Sequence, residues 1–271
     1  MGRQGASSYQ FFIGPAAATM PIHTLSIVMI ALNEADRLPA CLAALPTGIE
    51  LIVLDSGSTD RTVEIAKAYG ATVSQRPFDN YAAQRNAALA LATRDWIFSL
   101  DADECITSEL ATQLTHLAQL PPEVTGLTVP RSLVFMGRVM RFGRTQDEPL
   151  RVFRRNVGQF INPIHETVVL SHGTTQRAQG RLLHYSYRDL SDYLARLNRY
   201  TSAIAENKSK HVSWLHVLRP WQEFCTRYFL RLGFLDGYPG YTYAWLSSLY
   251  AYMKYAKRWE KTQAAISAVS R

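Results

Sequence analysis

Four short apolar runs alternate with stretches of helical spacing near the start of the chain, and this alternation constrains the fold most. The runs cover residues 25–32, 49–54, 71–74 and 96–100. Each has the length and the branched or aromatic content of a buried β-strand. The intervening stretches with apolar side chains at helical spacing are residues 38–45, 62–69 and 81–92. This alternation predicts an α/β fold, a mostly parallel sheet flanked by helices.

Polar or acidic residues directly follow three of these runs. Asn33-Glu34 follows the first, Asp55 the second and Asp101-Ala102-Asp103 the fourth. The carboxyl ends of parallel strands meet at one edge of an open α/β sheet, and ligands bind at that edge. Two aspartates at i and i+2 there suit Mg²⁺ or Mn²⁺, with substrate phosphates completing the shell. A solvated acidic turn is the alternative for the aspartates alone.

Four motifs, in this order, resemble the GT-A catalytic domain of family 2 inverting glycosyltransferases. They are Ala31-Leu32-Asn33-Glu34, Asp55-Ser56-Gly57-Ser58-Thr59-Asp60-Arg61-Thr62, Gln84-Arg85-Asn86 and Asp101-Ala102-Asp103-Glu104. The resemblance is dense over residues 25–109 and continues more thinly at 162–166 and 235–240. With these later segments the chain is most similar to the bacterial lipopolysaccharide-core β-glucosyltransferase subgroup. The resemblance implies a Rossmann-like GT-A sheet and a nucleotide-sugar donor.

The donor site implied by the resemblance lies in the loops that follow the strands. Asp55 corresponds to the carboxylate on the base and ribose side, and Arg85 is a candidate partner for a phosphate or for Asp101. The implied donor-site residues are Leu32, Asn33, Glu34, Asp55, Ser56, Gly57, Arg85, Asp101, Ala102 and Asp103. Two alternatives stay open: residues 56–59 form a tight turn that caps the next helix, and Arg85 is a solvated helix arginine.

A divalent cation, Mg²⁺ or Mn²⁺, is the cofactor implied by the resemblance. Asp103 is the expected direct ligand, and Asp101 contacts ribose or reaches the metal through water. His184 is a candidate for completing the shell, with a satisfied core or surface histidine as the alternative. The metal would neutralise charge on the departing diphosphate, which is Lewis-acid assistance. The three cysteines lack the spacing of a zinc site,.

An inverting transfer also needs a base that takes the proton of the acceptor hydroxyl, and a partly buried carboxylate suits this role. By resemblance the candidate is Glu166, whose apolar flanks predict partial burial, with His165 as a residue that could orient it. The alternative is an ordinary strand carboxylate paired with a nearby arginine. Asp236 and Glu104 are competing candidates for the base.

Positive charge and tryptophan concentrate in the last quarter of the chain. From residue 200 onward there are ten lysines and arginines against four acids, a net of +6 out of +7 for the whole chain. Four of the five tryptophans lie there, namely Trp214, Trp221, Trp245 and Trp259. The mixture predicts aromatic, basic helices on an anionic membrane surface. Plain packing on the catalytic core and nucleic-acid binding are the alternatives, although no nucleic-acid motif occurs.

Residues 121–181 are rich in arginine, and short strands of a mixed sheet are expected there. In the family this half faces the acceptor. Guanidinium groups bind phosphate bidentately, so arginines on this face would favour a phosphorylated substrate. Arginines bonded to local carboxylates and water are the alternative. The arginines concerned are Arg131, Arg138, Arg141, Arg144, Arg151, Arg154 and Arg155.

The expected organisation is a leader or tag at residues 1–20, a catalytic domain at 21–199 and a helical extension at 200–271. Within the catalytic domain, residues 21–110 form the donor half and 111–199 the acceptor half. Three cysteines without a paired pattern indicate a reducing compartment. No apolar run reaches the about eighteen residues of a membrane span. The expected location is cytoplasmic, peripheral on the inner face of the inner membrane.

Together these observations predict a metal-dependent inverting glycosyltransferase. The expected donor is UDP-glucose and the expected acceptor a lipid-linked glycan, the lipopolysaccharide inner core. Alternatives within the class are a lipid carrier, a polysaccharide or a protein as acceptor. Two alternatives belong to other functional classes: a nucleotidyltransferase and a protein that binds a nucleotide-sugar without turnover. Exposed aromatic side chains could also serve a homodimer.

Overall fold

The structure is a computed structural model that describes residues 22–163, 166–207 and 214–269. The chain divides into two compact units, each described here by itself. The sheet unit contains the described residues up to 132 together with 147–184. The helical unit contains residues 133–146 together with the described residues from 185 onward.

The secondary structure is numbered in chain order. The strands are β1 Leu25–Ala31, β2 Glu50–Asp55, β3 Thr72–Gln75, β4 Trp96–Ser99, β5 Glu104–Ile106, β6 Val124–Thr128, β7 Arg131–Phe135, β8 Arg138–Val139, β9 Gln146–Asp147, β10 Leu150–Arg154, β11 Gly158–Ile161, β12 Thr167–Leu170, β13 Thr174–Arg177 and β14 Leu182–His184. The α-helices are α1 Leu38–Ala43, α2 Thr62–Ala68, α3 Tyr81–Leu89, α4 Ser108–Leu114, α5 Leu190–Asn207, α6 Arg219–Cys225 and α7 Gly237–Val269.

A seven-stranded sheet forms the centre of the sheet unit, in the order β13-β6-β10-β4-β1-β2-β3. The four strands expected from the apolar runs, β3, β2, β1 and β4, lie side by side and pair in parallel. β10 enters between β4 and β6 and is antiparallel to both. The predicted α/β class with a mostly parallel sheet is confirmed.

The core of the sheet unit is built on the central strands. Trp96, Phe98 and Phe153 are among the largest fully buried side chains. α3 packs against the sheet through Ala88 and Leu89. This helix begins after Asn80, whose side chain accepts the N–H of Ala83 at 2.9 Å, the usual arrangement of an N-cap,.

α3 ends earlier than expected. The sequence predicts a helix to about residue 92, but the last helical residue is Leu89. The N–H groups of Leu91 and Ala92 bond to the carbonyls of Ala88 and Leu89, three residues back. Such bonds tighten the last turn and end the helix.

Strand pairing brings the end of β14 beside the acidic motif. β5 starts directly after Asp103, and β14 pairs with it in antiparallel orientation, with His184 opposite Glu104. Residues distant in sequence therefore meet at the carboxyl end of β4. β11 and β12 form a separate antiparallel pair just before and after the loop that contains Glu166.

The helical unit has its own aromatic core. Buried side chains of the β7–β8 hairpin and of α5 pack together, including Phe135, Met140 and Tyr193. Tyr243 of α7 joins them, with its ring centroid 5.4 Å from that of Phe135. The long C-terminal helices with clustered aromatic side chains confirm the predicted helical extension. None of the described helices is long and apolar enough to cross a membrane.

Several basic side chains of α7 serve packing within the helical unit. Lys257 Nζ donates to the carbonyl and side-chain oxygens of Asn198 and to the hydroxyl groups of Thr201 and Ser202 on α5. Lys261 pairs with Glu206 at 3.3 Å. These two lysines therefore form their bonds within the helical unit.

Candidate active site

The loops after β1 and β2 are bonded to each other. Asn33 N donates to Ser58 Oγ at 2.9 Å, and Thr59 N donates to Asn33 Oδ1 at 2.9 Å. Asn33 has a φ of 56°, a left-handed conformation that asparagine tolerates better than most residues,. Glu34 N donates to Thr62 Oγ1 at 2.8 Å. The polar residues after the first two strands thus form one fixed rim.

Asp55 organises the turn that follows β2. Its buried carboxylate accepts the N–H groups of Gly57 at 3.0 Å and Ser58 at 2.9 Å, and also the Ser58 hydroxyl. Gly57 has a φ of 99°, which favours glycine,. The tight turn offered as an alternative is therefore present, and the ribose-side role of Asp55 stays a prediction.

Two arginines bind Asp101 from opposite parts of the chain. Arg85 Nη2 of α3 donates to Oδ1 and Arg151 Nη2 of β10 donates to Oδ2, both at 2.7 Å. Burial raises the pKa of Asp101, but Arg151 and then Arg85 outweigh burial and hold that pKa far below its usual range,. Asp101 is therefore ionised, and each of its carboxylate oxygens accepts a hydrogen bond from an arginine.

Asp103 lies beside His184. His184 Nε2 is 3.4 Å from Asp103 Oδ2, and Arg37 Nη1 is 3.9 Å from the same oxygen. Burial raises the pKa of Asp103 and lowers that of His184, but their mutual contact reverses both shifts. The residues that the structure describes contain no group of three or more His, Cys, Asp or Glu side chains placed to hold a metal. The protein thus offers two neighbouring ligand atoms here, one oxygen and one nitrogen.

Glu104 is occupied by interactions inside the sheet unit. It is fully buried, and its Oε1 accepts Arg131 Nη1 at 2.7 Å and Arg151 Nη2 at 2.9 Å. Arg131 also forms a forked pair with Asp147. Arg131 and Arg151, expected on an acceptor face, therefore follow the alternative of arginines bonded to local carboxylates. The sequence did not single out their pairing with the acidic motif.

Glu166 is paired with the same arginine that binds Asp101. Its Oε1 accepts Arg85 Nε at 3.0 Å, and its side chain is 19% exposed, so the predicted partial burial is present. Asn86, next to Arg85, bonds both backbone groups of Phe160 and so ties α3 to β11 near this loop. The prediction that His165 orients Glu166 falls outside the described residues.

Asp236, a competing candidate for the base, has a structural role in the helical unit. It is 1% exposed. Its carboxylate accepts the backbone N–H groups of Arg141 at 3.0 Å and of Phe142 at 2.9 Å. These bonds fix the hairpin that carries both amides.

A cavity of about 420 Å³ opens at this edge of the sheet unit. Two exposed aromatic rings, Phe78 and Tyr81, stand on its lining with centroids 5.0 Å apart. Neither was among the predicted site residues, although an aromatic residue in the otherwise polar loop before α3 and another at the first position of α3 were a usable signal. The lining residues are Ile30, Ala31, Leu32, Glu34, Ser56, Phe78, Tyr81, Arg85, Asp101, Ala102, Asp103, Arg131 and His184.

The chain is similar to several known proteins. The model of the family "Glycosyl transferase family 2" matches residues 26–171. The lipopolysaccharide core biosynthesis glycosyltransferase LpsC of Rhizobium meliloti (strain 1021) is 27% identical over 263 residues, which cover 89% of this chain and 94% of that protein. Every residue lining the cavity except His184 lies within the segment matched by the family model.

Two further similarities are more limited. A TPR repeat-containing protein of Synechococcus elongatus is 41% identical over 161 residues, which cover 58% of this chain and 37% of that protein. The crystal structure of S. aureus TarS 1-349 is 16% identical with a TM-score of 0.44, covering 85% of this chain and 80% of that one. A structural similarity of this size does not transfer a function.

Proposed function

Because the chain belongs to glycosyl transferase family 2, we propose that it moves a sugar from a nucleotide-sugar donor to a lipopolysaccharide inner-core acceptor with inversion at the anomeric carbon. UDP-glucose is the favoured donor. The name of the LpsC relative, which matches almost end to end, supports the acceptor class. A lipid-linked acceptor would place the enzyme at the inner face of the inner membrane, as a peripheral protein.

One observation carries the proposal: the acidic motif, its arginine and a histidine line a single cavity at the carboxyl edge of the parallel sheet. Its volume of about 420 Å³ lies in the range of small-molecule sites. Leu32, Phe78 and Tyr81 supply apolar surface on the lining, and aromatic faces suit a planar base. Asp101 and Asp103 supply the polar side of the same space.

The donor set fits a divalent cation. Asp103 Oδ2 and His184 Nε2, 3.4 Å apart, would hold it, and donor phosphate oxygens would complete its shell. A carboxylate with an imidazole suits Mn²⁺, and Mg²⁺ prefers oxygen alone. When bound, the cation supplies positive charge beside the leaving diphosphate. Asp101 already accepts hydrogen bonds from two arginines, which makes it a weaker candidate for direct metal ligation than Asp103.

Glu166 is the proposed base. Its carboxylate takes the proton of the acceptor hydroxyl as that oxygen bonds to the anomeric carbon, while the bond from this carbon to the diphosphate breaks. Arg85 positions Glu166 because the same guanidinium holds Asp101 at 2.7 Å and Glu166 at 3.0 Å. Asp236 and Glu104 are weaker candidates, since both are fully buried, whereas the side chain of Glu166 is 19% exposed.

The alternative functions differ in what they require of the site. A nucleotidyltransferase of related topology would carry a Gly-rich basic loop after β1, where this chain has Asn33-Glu34-Ala35. A lipid carrier, a polysaccharide or a protein as acceptor would leave the donor site unchanged. A binder without turnover would hold the donor and form no product.

The test is calorimetric binding of UDP-glucose, UDP-galactose, GDP-mannose and ADP-heptose, each with Mn²⁺, Mg²⁺ or chelator. We expect metal-dependent binding of UDP-glucose, followed by transfer to heptose-containing inner-core oligosaccharide. Tight binding of another donor would change the proposed donor sugar, but the proposed class of enzyme would stay the same. Binding without product on any acceptor would favour the non-catalytic alternative, and no binding at all would contradict the proposal.

A further inference from the structure

Six exposed aromatic side chains form one continuous surface in the helical unit. Ring contacts connect Trp221 to Trp245 at 6.3 Å, Trp245 to Tyr241 at 6.4 Å and Tyr241 to Tyr238 at 6.5 Å. Tyr228 links Phe229 and Phe234 to the same cluster. The six residues, here called the aromatic surface, are Trp221, Phe229, Phe234, Tyr238, Tyr241 and Trp245.

The aromatic surface is large for an exposed patch. Its members are between 41% and 70% exposed. At about half of the ~200 Å² of a large aromatic side chain, six rings expose on the order of 600 Å². This area equals that of the largest apolar patches on ordinary monomeric proteins, and such patches mark binding sites. Exposed leucines in the same segment enlarge it, with Leu230 at 76% and Leu235 at 48%.

The backbone that presents these side chains departs from regular helix. Residues Thr226–Leu230 form a π-helical turn. Leu232 then has a φ of 56°, a left-handed conformation that is uncommon for leucine,. Strained positions of this kind cluster at functional segments. The segment thus presents its exposed apolar side chains from an irregular backbone.

Positive charge accompanies the aromatic surface, and two acids nearby are already bonded within the unit. Glu223 pairs with Arg227, and Asp236 is buried under backbone amides. Exposed arginines stand on the hairpin that meets this segment, where Arg138 Nη2 donates to Leu235 O at 3.5 Å. Gly143 N also bonds to Arg231 O at 2.9 Å. The exposed arginines are Arg138, Arg141, Arg144, Arg219 and Arg231.

We propose that the aromatic surface and its exposed arginines bind an anionic phospholipid bilayer at the level of the headgroups. Aromatic rings partition to this depth, and arginines are attracted to the negative surface. A second copy of the chain fits less well, because it would bring the same uncompensated positive charge against itself. The inference names the surface by which the proposed enzyme would reach a lipid-linked acceptor, but its test needs neither donor nor acceptor.

The test is co-sedimentation with vesicles of phosphatidylcholine, with or without phosphatidylglycerol, at low and high salt. We expect binding that requires the anionic lipid and weakens with salt. Replacing Trp221, Leu230 and Tyr238 together by serine should lower the partition coefficient more than about tenfold. A matched control replaces Tyr69, Ile161 and Val169, exposed apolar residues of the sheet unit, by serine and should change little.

The charge contribution is tested separately with Arg138→Gln, Arg141→Gln and Arg231→Gln combined. At about fivefold per arginine near an anionic surface, the partition coefficient should fall about a hundredfold at low salt. Circular dichroism and thermal unfolding check that each variant is folded. Absence of vesicle binding by the wild-type chain, or unchanged binding of the serine variant, would overturn the proposal. A concentration-dependent dimer that the serine variant abolishes, without vesicle binding, would overturn it in favour of a second copy.

Discussion

Arg85 joins the two carboxylates on which the proposed chemistry depends. It is 6% exposed and contacts Asp101, Glu166 and Ser99 at once. Its sequence context left a solvated helix arginine as an open alternative. Which environment Arg85 has depends on Asp101 after β4 and on Glu166, which come close to α3 only through the fold. At the scale of single residues, the sequence identifies the Gln84-Arg85-Asn86 motif, but it does not identify the side chains that Arg85 contacts.

Replacing Arg85 tests this bridge. Arg85→Ala leaves Glu166 and one oxygen of Asp101 without their guanidinium, so unfolding should become easier by about 3 kcal/mol in urea titrations. Arg85→Lys keeps the charge but reaches only one carboxylate, so kcat should fall while the Kd for donor changes little. The control is Arg61→Lys in an exposed pair with Glu64. Equal loss of kcat in both lysine variants would contradict the bridge.

Asp103 is the residue that should couple donor binding to a metal. Asp103→Asn removes the charge of the oxygen nearest His184 and keeps the shape, so the stimulation of UDP-glucose binding by Mn²⁺ should disappear. Calorimetry with Mn²⁺ and with chelator measures the difference. Glu148→Gln, in an exposed pair with Arg177, serves as control. Metal-stimulated binding that persists in Asp103→Asn would remove Asp103 from the ligand set.

Glu166→Gln separates binding from transfer. The amide cannot take a proton, so kcat should fall by about 10²–10⁴-fold, while donor affinity stays within error. Product is measured by radiolabelled transfer to inner-core oligosaccharide. Glu166→Asp should recover part of the rate because a carboxylate remains. Full activity of the glutamine variant would move the base to another carboxylate.

At the scale of secondary structure, local pattern predicts the parallel half of the sheet and not its antiparallel part. β1 to β4 are each a single apolar run, and short strand–helix–strand connections explain why β1, β2 and β3 are neighbours. β4 instead crosses back to pair with β1. β10 inserts between β4 and β6, and no local feature of Leu150–Arg154 indicates its neighbours. This insertion brings Arg151 to Asp101 and Glu104, so an arginine expected at the acceptor supports the acidic motif instead.

The start of α7 depends on two glycines that approach closely. A Cβ added to Gly240 would lie 2.0 Å from the carbonyl oxygen of Gly233 and 2.9 Å from Asp236 Cβ. Helix propensity alone predicts that Gly240→Ala stabilises the chain by about 1 kcal/mol. The backbone contact predicts the opposite, a loss of about 1–3 kcal/mol. Urea unfolding followed by tyrosine and tryptophan fluorescence decides the sign.

Ala251→Gly, in the middle of α7, is the matched control for this prediction. It removes a methyl group from a regular helical position, so it should cost about 1 kcal/mol through propensity alone. A Gly240→Ala variant more stable than wild type would show that Gly233 and Gly240 can move apart without loss of folding stability.

At the scale of the whole molecule, charge and aromatic content predicted a helical extension, but they did not indicate which residues of it are available. Lys257 and Lys261 bind α5, whereas Trp221 and Tyr238 are exposed. The difference arises because α7 packs on α5 near Lys257 and Lys261, whereas the packing of α6 on α7 leaves the side chains of Trp221 and Tyr238 exposed. Composition therefore indicated the type of surface, and only the packing located it.

The three cysteines allow each compact unit to be followed separately. Cys41 and Cys105 are buried in the sheet unit, and Cys225 is exposed in the helical unit. Burial raises the pKa of the Cys105 thiol to about 12 and raises that of Cys41 as well. Since the thiolate is the reactive form, raised pKa values and burial both slow the labelling of these two thiols near pH 8.

Native protein should therefore react with one equivalent of Ellman's reagent at once, at Cys225, and with all three only after unfolding. In a urea series, the Cys41 and Cys105 signals should rise together, because both lie in the same unit. Cys225→Ser should abolish the fast equivalent and leave the slow ones unchanged. Fast reaction of two or three thiols in the native protein would contradict the burial of Cys41 and Cys105. Separate transitions for these two would mean that the edge carrying the acidic motif opens before the rest of the sheet unit.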